Sequence, residues 1–130
     1  MILLDTHAVI WLLVAPEKLS GPARERILRA RQDGEQIGFS PVSLYEITYA
    51  VQRERLRLHI PLQDFVTAIR AQLDLVPLSA EIAVCAGELP EPFDGDPMDR
   101  ILAATAMIQD CPLISSDTKI RKAELCTVVW

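Results

Sequence analysis

No apolar run in this chain approaches the roughly 20 residues that a bilayer-spanning helix requires. The longest, Ala8 to Ala15, has eight residues, so no membrane span is expected. The start, MILLDTHAVIWLLV, carries no Lys or Arg ahead of its apolar stretch and interrupts that stretch with Asp5 and His7. A secretory signal is therefore not expected either, and the cytosol is the expected location. Cysteine is scarce: Cys85, Cys111 and Cys126 make an odd number, with no C-x-x-C pair and no His at metal-ligand spacing. They read as small core hydrophobes. A basic surplus is missing too, since 18 acids against 13 bases give a net charge of −5, which argues against coating nucleic acid by bulk charge. Internal repeats, low-complexity tracts, interdomain linkers and N-G hairpin signals are all absent. What remains is 130 residues, half of them apolar and 24% charged, enough for one domain around one core.

The order of elements predicts an α/β fold. Apolar strand candidates at Met1 to Leu4, Gln36 to Ser40, Leu75 to Leu78, Pro112 to Ser115 and Thr127 to Trp130 alternate with helical patterns. The helices are expected over Ala8 to Leu13; from Ser20-Gly21-Pro22 to Asp33-Gly34, with Ile27 and Leu28 inward; and from Ser40-Pro41, with Leu44, Ile47 and Val51 on one stripe. Others follow Pro61, with Phe65, Ile69 and Leu73 in register, and run from Ser79 to about Glu88. The last long one covers Met98 to Gln109, its stripe Leu102, Ala103, Ala106 and Met107, and a helical turn covers Thr118 to Ala123. Pro90, Pro92, Gly95 and Pro97 mark residues 90–97 as an irregular loop. Strands alternating with helices imply a central, mostly parallel sheet of about five strands with helices on both faces.

In open α/β sheets ligands bind beyond the carboxyl ends of the strands. Asp5 ends the first strand and Asp117 follows the fourth, so the two carboxylates are predicted on one rim. Asp99 lies in the first turn of the helix that follows the Pro-rich loop, and Glu46 early in the helix after the second strand. Four converging carboxylates repel one another unless a cation or hydrogen bonds compensate. A hard divalent ion with oxygen ligands is the natural compensation, and Mg²⁺ so held meets substrate phosphates and supports phosphodiester hydrolysis. Ten of the 13 bases are Arg, bunched at Arg24, Arg26, Arg29, Arg31 and at Arg53, Arg55, Arg57. Acids placed around an ion offset part of the formal charge, so −5 is compatible with a phosphate-bearing substrate.

Each acid also has a plainer explanation. Asp96-x-x-Asp99 fits an N-cap followed by an acid in the first helical turn. Ser43-x-x-Glu46 fits a capping box, and Asp117 fits a turn or cap. Asp5 resists such a reading, because a carboxylate directly after MILL is expected at or near burial. Thr6 reads as a cap or as an orienter of metal-bound water, and Ser115 and Ser116 share that ambiguity. His7 reads as structural more readily than as a proton carrier, and His59 as solvated. Arg100 fits a phosphate ligand or an i+4 partner of Asp96. The Arg24 to Arg31 run fits the wet face of a helix, and the Arg53 to Arg57 group a contact to RNA backbone or to a partner.

Four segments, MILLDTHAVIW, S-L-Y-E at Glu46, G-D-P-M-D-R-I-L-A-A-T-A at Asp99 and L-I-S-S-D at Asp117, occur in that order over Met1 to Trp130. In this the chain resembles the PIN-domain ribonucleases of the VapC toxin type, with one PIN domain over residues 1–130. The resemblance implies a Mg²⁺- or Mn²⁺-dependent endoribonuclease, the toxin of a toxin-antitoxin pair, cutting RNA by metal-activated water to leave a 3′-hydroxyl and a 5′-phosphate. Position by position it implies Asp5, Glu46, Asp99 and Asp117 as the acidic quartet, Asp5 and Asp99 foremost as metal ligands. Asp96 matches an additional acid, and Thr6 and Ser115 match hydroxyls beside the site. It further implies a homodimer and a cognate antitoxin that lays a segment across the site, in a heterotetramer or larger assembly.

The chain departs from that pattern in two places: no His precedes the D-P-M-D-R motif, where Phe93-Asp94-Gly95-Asp96 stands, and Tyr45 occupies a position that holds Trp in one variant. Neither change removes a ligand. Two alternatives stand beside this reading. A Mg²⁺-dependent phosphatase of the haloacid-dehalogenase type needs a second Asp two residues after the first, where this chain has His7. A catalytically silent PIN-fold binding module does not need all four acids.

Overall fold

Short apolar strands that stop at a helix-capping side chain set the architecture of this chain. The computed structural model describes residues 1–90 and 96–130. Its elements are β1 (Ile2–Leu4), α1 (Thr6–Val14), a 3₁₀ turn (Pro16–Lys18), α2 (Gly21–Gln32), β2 (Ile37–Phe39), α3 (Pro41–Gln52), α4 (Leu62–Gln72) and β3 (Asp74–Leu75). α5 (Ala80–Glu88), α6 (Pro97–Ile108), β4 (Leu113–Ile114), α7 (Thr118–Ala123) and β5 (Val128–Val129) follow. The five strands are parallel in the order β3-β2-β1-β4-β5, with Ile2 opposite Ile37 and Leu3 opposite Leu113.

From β1 the chain builds outward in one direction through β2 and β3, and later in the other through β4 and β5. The reversal lies between β1 and β4, and in parallel sheets a ligand crevice opens at the carboxyl ends of the strands that flank such a reversal. Asp5 directly follows β1, and Asp117 caps the helix after β4.

Side chains alternate across a strand, so consecutive residues feed opposite cores. Ile2, Leu4, Ile37 and Phe39 pack with Val9 of α1, Ile27 of α2, Ile47 of α3 and Phe65 and Ile69 of α4. Leu3 and Leu113 point the other way and pack with Ala103 and Ala106 of α6 and Ile120 of α7. Both faces of the sheet are thereby covered. Each of these fully buried large side chains contributes ~1.5–3 kcal/mol relative to exposure.

The sheet class, strand number and parallel sense agree with the sequence expectation, and several details differ. In α2 the inward residues are Ala23, Ile27 and Ala30, while Leu28 is 55% exposed. Spacing explains it: positions 23, 27 and 30 share one face of a 3.6-residue helix, and 28 lies about a hundred degrees around it. Met107 likewise faces outward at the rim of its helix. β3 covers Asp74–Leu75 rather than Leu75 to Leu78, because Gly38 and Phe39 pair with Asp74 and Leu75 and only one further bond, Val76 N–H to Phe39 O at 2.9 Å, extends the ladder. Residues 91–95 of the irregular loop lie outside the described residues. Among the described residues no helix is long and apolar enough to cross a membrane.

One glycine is fixed by space. A Cβ at Gly38 would stand 2.7 Å from Val76 Cγ2 and 3.3 Å from Met1 Sδ. Val is stiff at χ1, so the strand or Val76 must move. Gly38→Ala is therefore expected to destabilise the protein by ~1–3 kcal/mol, read as a lower urea midpoint with an unchanged slope. An unchanged or higher midpoint would contradict the close packing of β2 on the Val76 segment.

Candidate functional site

The acids reach the rim because helices start there. Asp5 is held in place at both ends: its backbone N–H donates to Ile114 O at 3.1 Å, and its carboxylate caps α1 by accepting the Ala8 N–H at 2.7 Å. The buried Ser115 hydroxyl, on the neighbouring strand end, donates to the same carboxylate. Ser115 Oγ in turn accepts the Asp117 N–H at 3.1 Å. Asp117 caps α7 through the Lys119 and Ile120 N–H groups, at 2.7 and 3.0 Å. Asp96 caps α6 by accepting the Asp99 N–H at 2.9 Å, which leaves the Asp99 carboxylate uncommitted by that cap. The cap readings of Asp96 and Asp117 therefore describe their backbone work, and Asp5 does the same work.

Glu46 is not part of a capping box. α3 begins a turn earlier than that reading requires, capped by Ser40, which accepts the Val42 N–H at 3.2 Å. Ser43 is thus inside the helix, fully buried, with its Oγ 3.0 Å from Thr6 Oγ1. Thr6 Oγ1 donates to Glu46 Oε1 at 2.6 Å, and since a hydroxyl has one proton, Ser43 supplies the proton of the Ser43–Thr6 bond. Thr6 is then neither cap nor free hydroxyl: it ties α1 to α3 and aims Glu46.

Burial and mutual repulsion raise three of these carboxyls. Asp99, half-buried, is pushed up from an ordinary 3.8 to about 7, first by burial and then by the charges of Asp96, Asp117, Glu46 and Asp5. Glu46 is raised by burial, opposed by the Thr6 hydrogen bond, and raised further by Asp96 and Asp5. Asp5 is raised by burial, against the hydrogen bonds from Ser115 and Ala8, with a smaller push from Asp117. These effects place Asp5, Glu46, Asp96, Asp99 and Asp117 in one electrostatic field. Carboxyls perturbed by burial plus neighbouring charge mark functional sites more often than structural ones.

The donor set fits a hard divalent ion by its chemistry, being all oxygen and strongly negative. Among the described residues no three His, Cys, Asp or Glu side chains already form a group that could hold a metal ion. The acids thus share a field without forming a finished cage, as expected of like charges that repel.

A cleft of about 480 Å³ opens at the Glu46 and Asp96 side of this rim, lined by Thr6, His7, Ile10, Tyr45, Glu46, Tyr49, Ala50, Arg55, Asp96, Pro97 and Met98, while Asp5, Asp99 and Asp117 are not among the residues that line it. Of its aromatic wall the sequence reading reaches Tyr45 but not Tyr49, whose signal is the helical i, i+4 spacing of Tyr45, Tyr49 and Arg53. His7 lines this cleft as an exposed side chain, its ring 5.4 Å from that of Trp11. Other candidates fall elsewhere, and His59 is exposed. Arg100 donates from Nε to Ala86 O and from Nη2 to Leu89 O, both at 3.0 Å, closing the end of α5 onto α6. In the first Arg group, Arg26 pairs through both terminal nitrogens with Glu35, at 2.8 and 2.9 Å, and the guanidinium holds that carboxyl down at about 2.

Comparison with known proteins places this geometry. The PIN domain family model matches residues 2–125. The chain is 29% identical over 120 residues to Ribonuclease VapC22 of Mycobacterium tuberculosis, a match covering 92% of this chain and 89% of that protein. Among solved structures it is similar to VapBC2 from Rickettsia felis bound to a promoter DNA fragment, with a TM-score of 0.74 and 16% identity, covering 98% of this chain and 97% of that one. It is also similar to DNA-bound VapBC from Salmonella typhimurium, with a TM-score of 0.70 and 13% identity, covering 98% and 95% respectively. At those identities the two structures speak to the fold.

Proposed function

We propose, from the premise that this chain belongs to the PIN-domain family, that it is a divalent-metal-dependent endoribonuclease acting as the toxin of a toxin-antitoxin pair. The observation that carries the reading is the Asp99 carboxyl, poised at about 7 by burial and by four other acids on the same rim. A fold that needed these residues only as helix caps has no use for that repulsion. The ribonuclease name of the 29% identical relative supports RNA as substrate, and a toxin-antitoxin complex from Klebsiella pneumoniae among the structural relatives, beside the VapBC structures, supports an antitoxin partner. A homodimer, and a heterotetramer or larger assembly with antitoxin, complete the proposal.

Asp5 and Asp99 are the proposed metal ligands, with Glu46 and Asp117 completing the acidic set. Mg²⁺ or Mn²⁺, if held there, would supply positive charge against the phosphodiester oxygens and lower the pKa of a water. The protein's own part is orientation. Ser115 and the Ala8 N–H fix Asp5, Thr6 fixes Glu46, and the Asp96 cap sets the first turn of α6 from which Asp99 projects. Asp99, raised to about 7, is partly protonated near neutral pH, and would have to give up that proton to serve as a ligand.

The test is incubation of purified protein with structured RNAs in EDTA, in Mg²⁺ and in Mn²⁺. Cutting is expected in both metals and not in EDTA. Metal-independent cutting would refute the metal role; RNA binding with no scission under any condition would favour the silent module; phosphate release from small monoesters would favour the phosphatase.

A further inference from the structure

The wall of the cleft beside Glu46 is aromatic and basic. Tyr45, Tyr49 and Arg53 form a row along α3, with the two rings 5.9 Å apart and the Arg53 guanidinium 3.4 Å from the centre of the Tyr49 ring. Arg53 thus covers a face of Tyr49, whereas Tyr45 is 57% exposed and lines the cleft next to Glu46. Arg55 lines the same cleft, and among the described residues it takes part in no ion pair. An exposed ring beside an unpaired guanidinium, on an otherwise acidic rim, offers a stacking face and a phosphate contact together. Base stacking on such a ring requires a nucleobase with a free face, which a base inside a duplex lacks.

We propose that Tyr45, with Arg55, is a specificity-determining subsite that takes one unpaired nucleobase and its phosphate beside the acidic rim. This rests on the ribonuclease reading and deepens it. The base stacks on the open face of Tyr45, Arg55 pairs with the backbone phosphate, and Arg53 holds Tyr49 as the support behind Tyr45.

The test measures binding and cutting separately. A short fluorescein-labelled single-stranded oligoribonucleotide, and the same strand annealed to its complement, are titrated with protein in EDTA and followed by anisotropy; cutting is followed in Mn²⁺. The single strand is expected to bind at least ~10-fold more tightly than the duplex, and Tyr45→Ala to lose ~10-fold or more of that affinity, with most of it recovered in Tyr45→Phe. Arg55→Gln is expected to weaken binding and to flatten its salt dependence. Duplex binding equal to single-strand binding, or undiminished affinity in Tyr45→Ala, overturns the proposal. So does a Tyr45→Ala protein whose RNA affinity is intact but whose mass in solution has changed, which would make this wall a protein interface. A parent that binds in a Tyr45-dependent way yet cuts no RNA in either metal removes the ribonuclease reading and keeps the subsite. A parent that cuts, with Tyr45→Ala matching it in affinity and rate, removes the subsite and keeps the ribonuclease reading.

Discussion

Replacing Asp99 by Asn is expected to stabilise the metal-free protein at pH 8 and at the same time to remove RNA cutting. The stability effect follows from linkage. The Asp99 carboxyl sits at about 7 in the folded chain against an ordinary 3.8, so between those pH values the native state binds more protons than the unfolded state. Stability therefore falls as pH rises through that window and stays lowered above it. The gap, 7 minus 3.8, is about 3 units, which for a fully buried group corresponds to ~4 kcal/mol. Because Asp99 is only half-buried, solvent screening reduces the expected gain to ~1–2 kcal/mol. Asn carries no charge at any pH, so melting curves in EDTA should show variant and parent close at pH 4 and diverging toward pH 8. A variant less stable than its parent at pH 8 would mean that the acids do not repel as argued.

The same substitution is expected to lower the cutting rate in Mn²⁺ by at least ~100-fold, the scale of losing a charged group aimed at the reacting centre. The metal reads out the same proton. Below about pH 7 an arriving ion must displace it, so apparent Mn²⁺ affinity in the parent should climb by up to ~10-fold per pH unit and level off above neutrality. Asp99→Asn should lose that slope, whichever RNA is the substrate.

How much of this was legible in the sequence depends on the kind of interaction. Alternation of strand and helix, the parallel sense of the sheet and the rim position of Asp5 and Asp117 follow from local patterns, since capping chemistry and 2.0 or 3.6 periodicity act over a few residues. The difference at Leu28 lies within that same local logic: Ile27 and Leu28 are about a hundred degrees apart on the helix, and only the packing of Ala23 and Ala30 identifies Ile27 as the one on the buried face. The link from Thr6 to Glu46 and Ser43 spans 40 and 37 positions, and no spacing rule reaches across two elements. For that reason Ser43-x-x-Glu46 looked like a cap, when the cap is Ser40. The poise of Asp99 is likewise a property of the assembled rim: its largest cause is burial, followed by charges that the sequence scatters from position 5 to position 117.

Asp5 is the residue where structural and chemical duties meet, and two substitutions separate them. Its carboxylate accepts the Ala8 N–H and the Ser115 hydroxyl while 6% exposed. Asp5→Ala removes an N-cap, ~1 kcal/mol, and strands the buried Ser115 hydroxyl, ~1–3 kcal/mol more; the charge it deletes was itself disfavoured by burial, so a net loss of ~1–3 kcal/mol in chemical denaturation is expected. Asp5→Asn keeps a carbonyl oxygen to cap α1 and to accept from Ser115, and should lie within ~1 kcal/mol of the parent. Both are expected to cut RNA at least ~100-fold more slowly than the parent in Mn²⁺, because neither offers an anionic oxygen to the rim. If activity instead tracks stability, with Asp5→Asn cutting at the parental rate and only Asp5→Ala impaired, then Asp5 is a cap and nothing more. Metal binding would then have to begin at Asp99, Glu46 and Asp117, which enter the rim from α6, α3 and the start of α7, with no ligand from the end of the central strand.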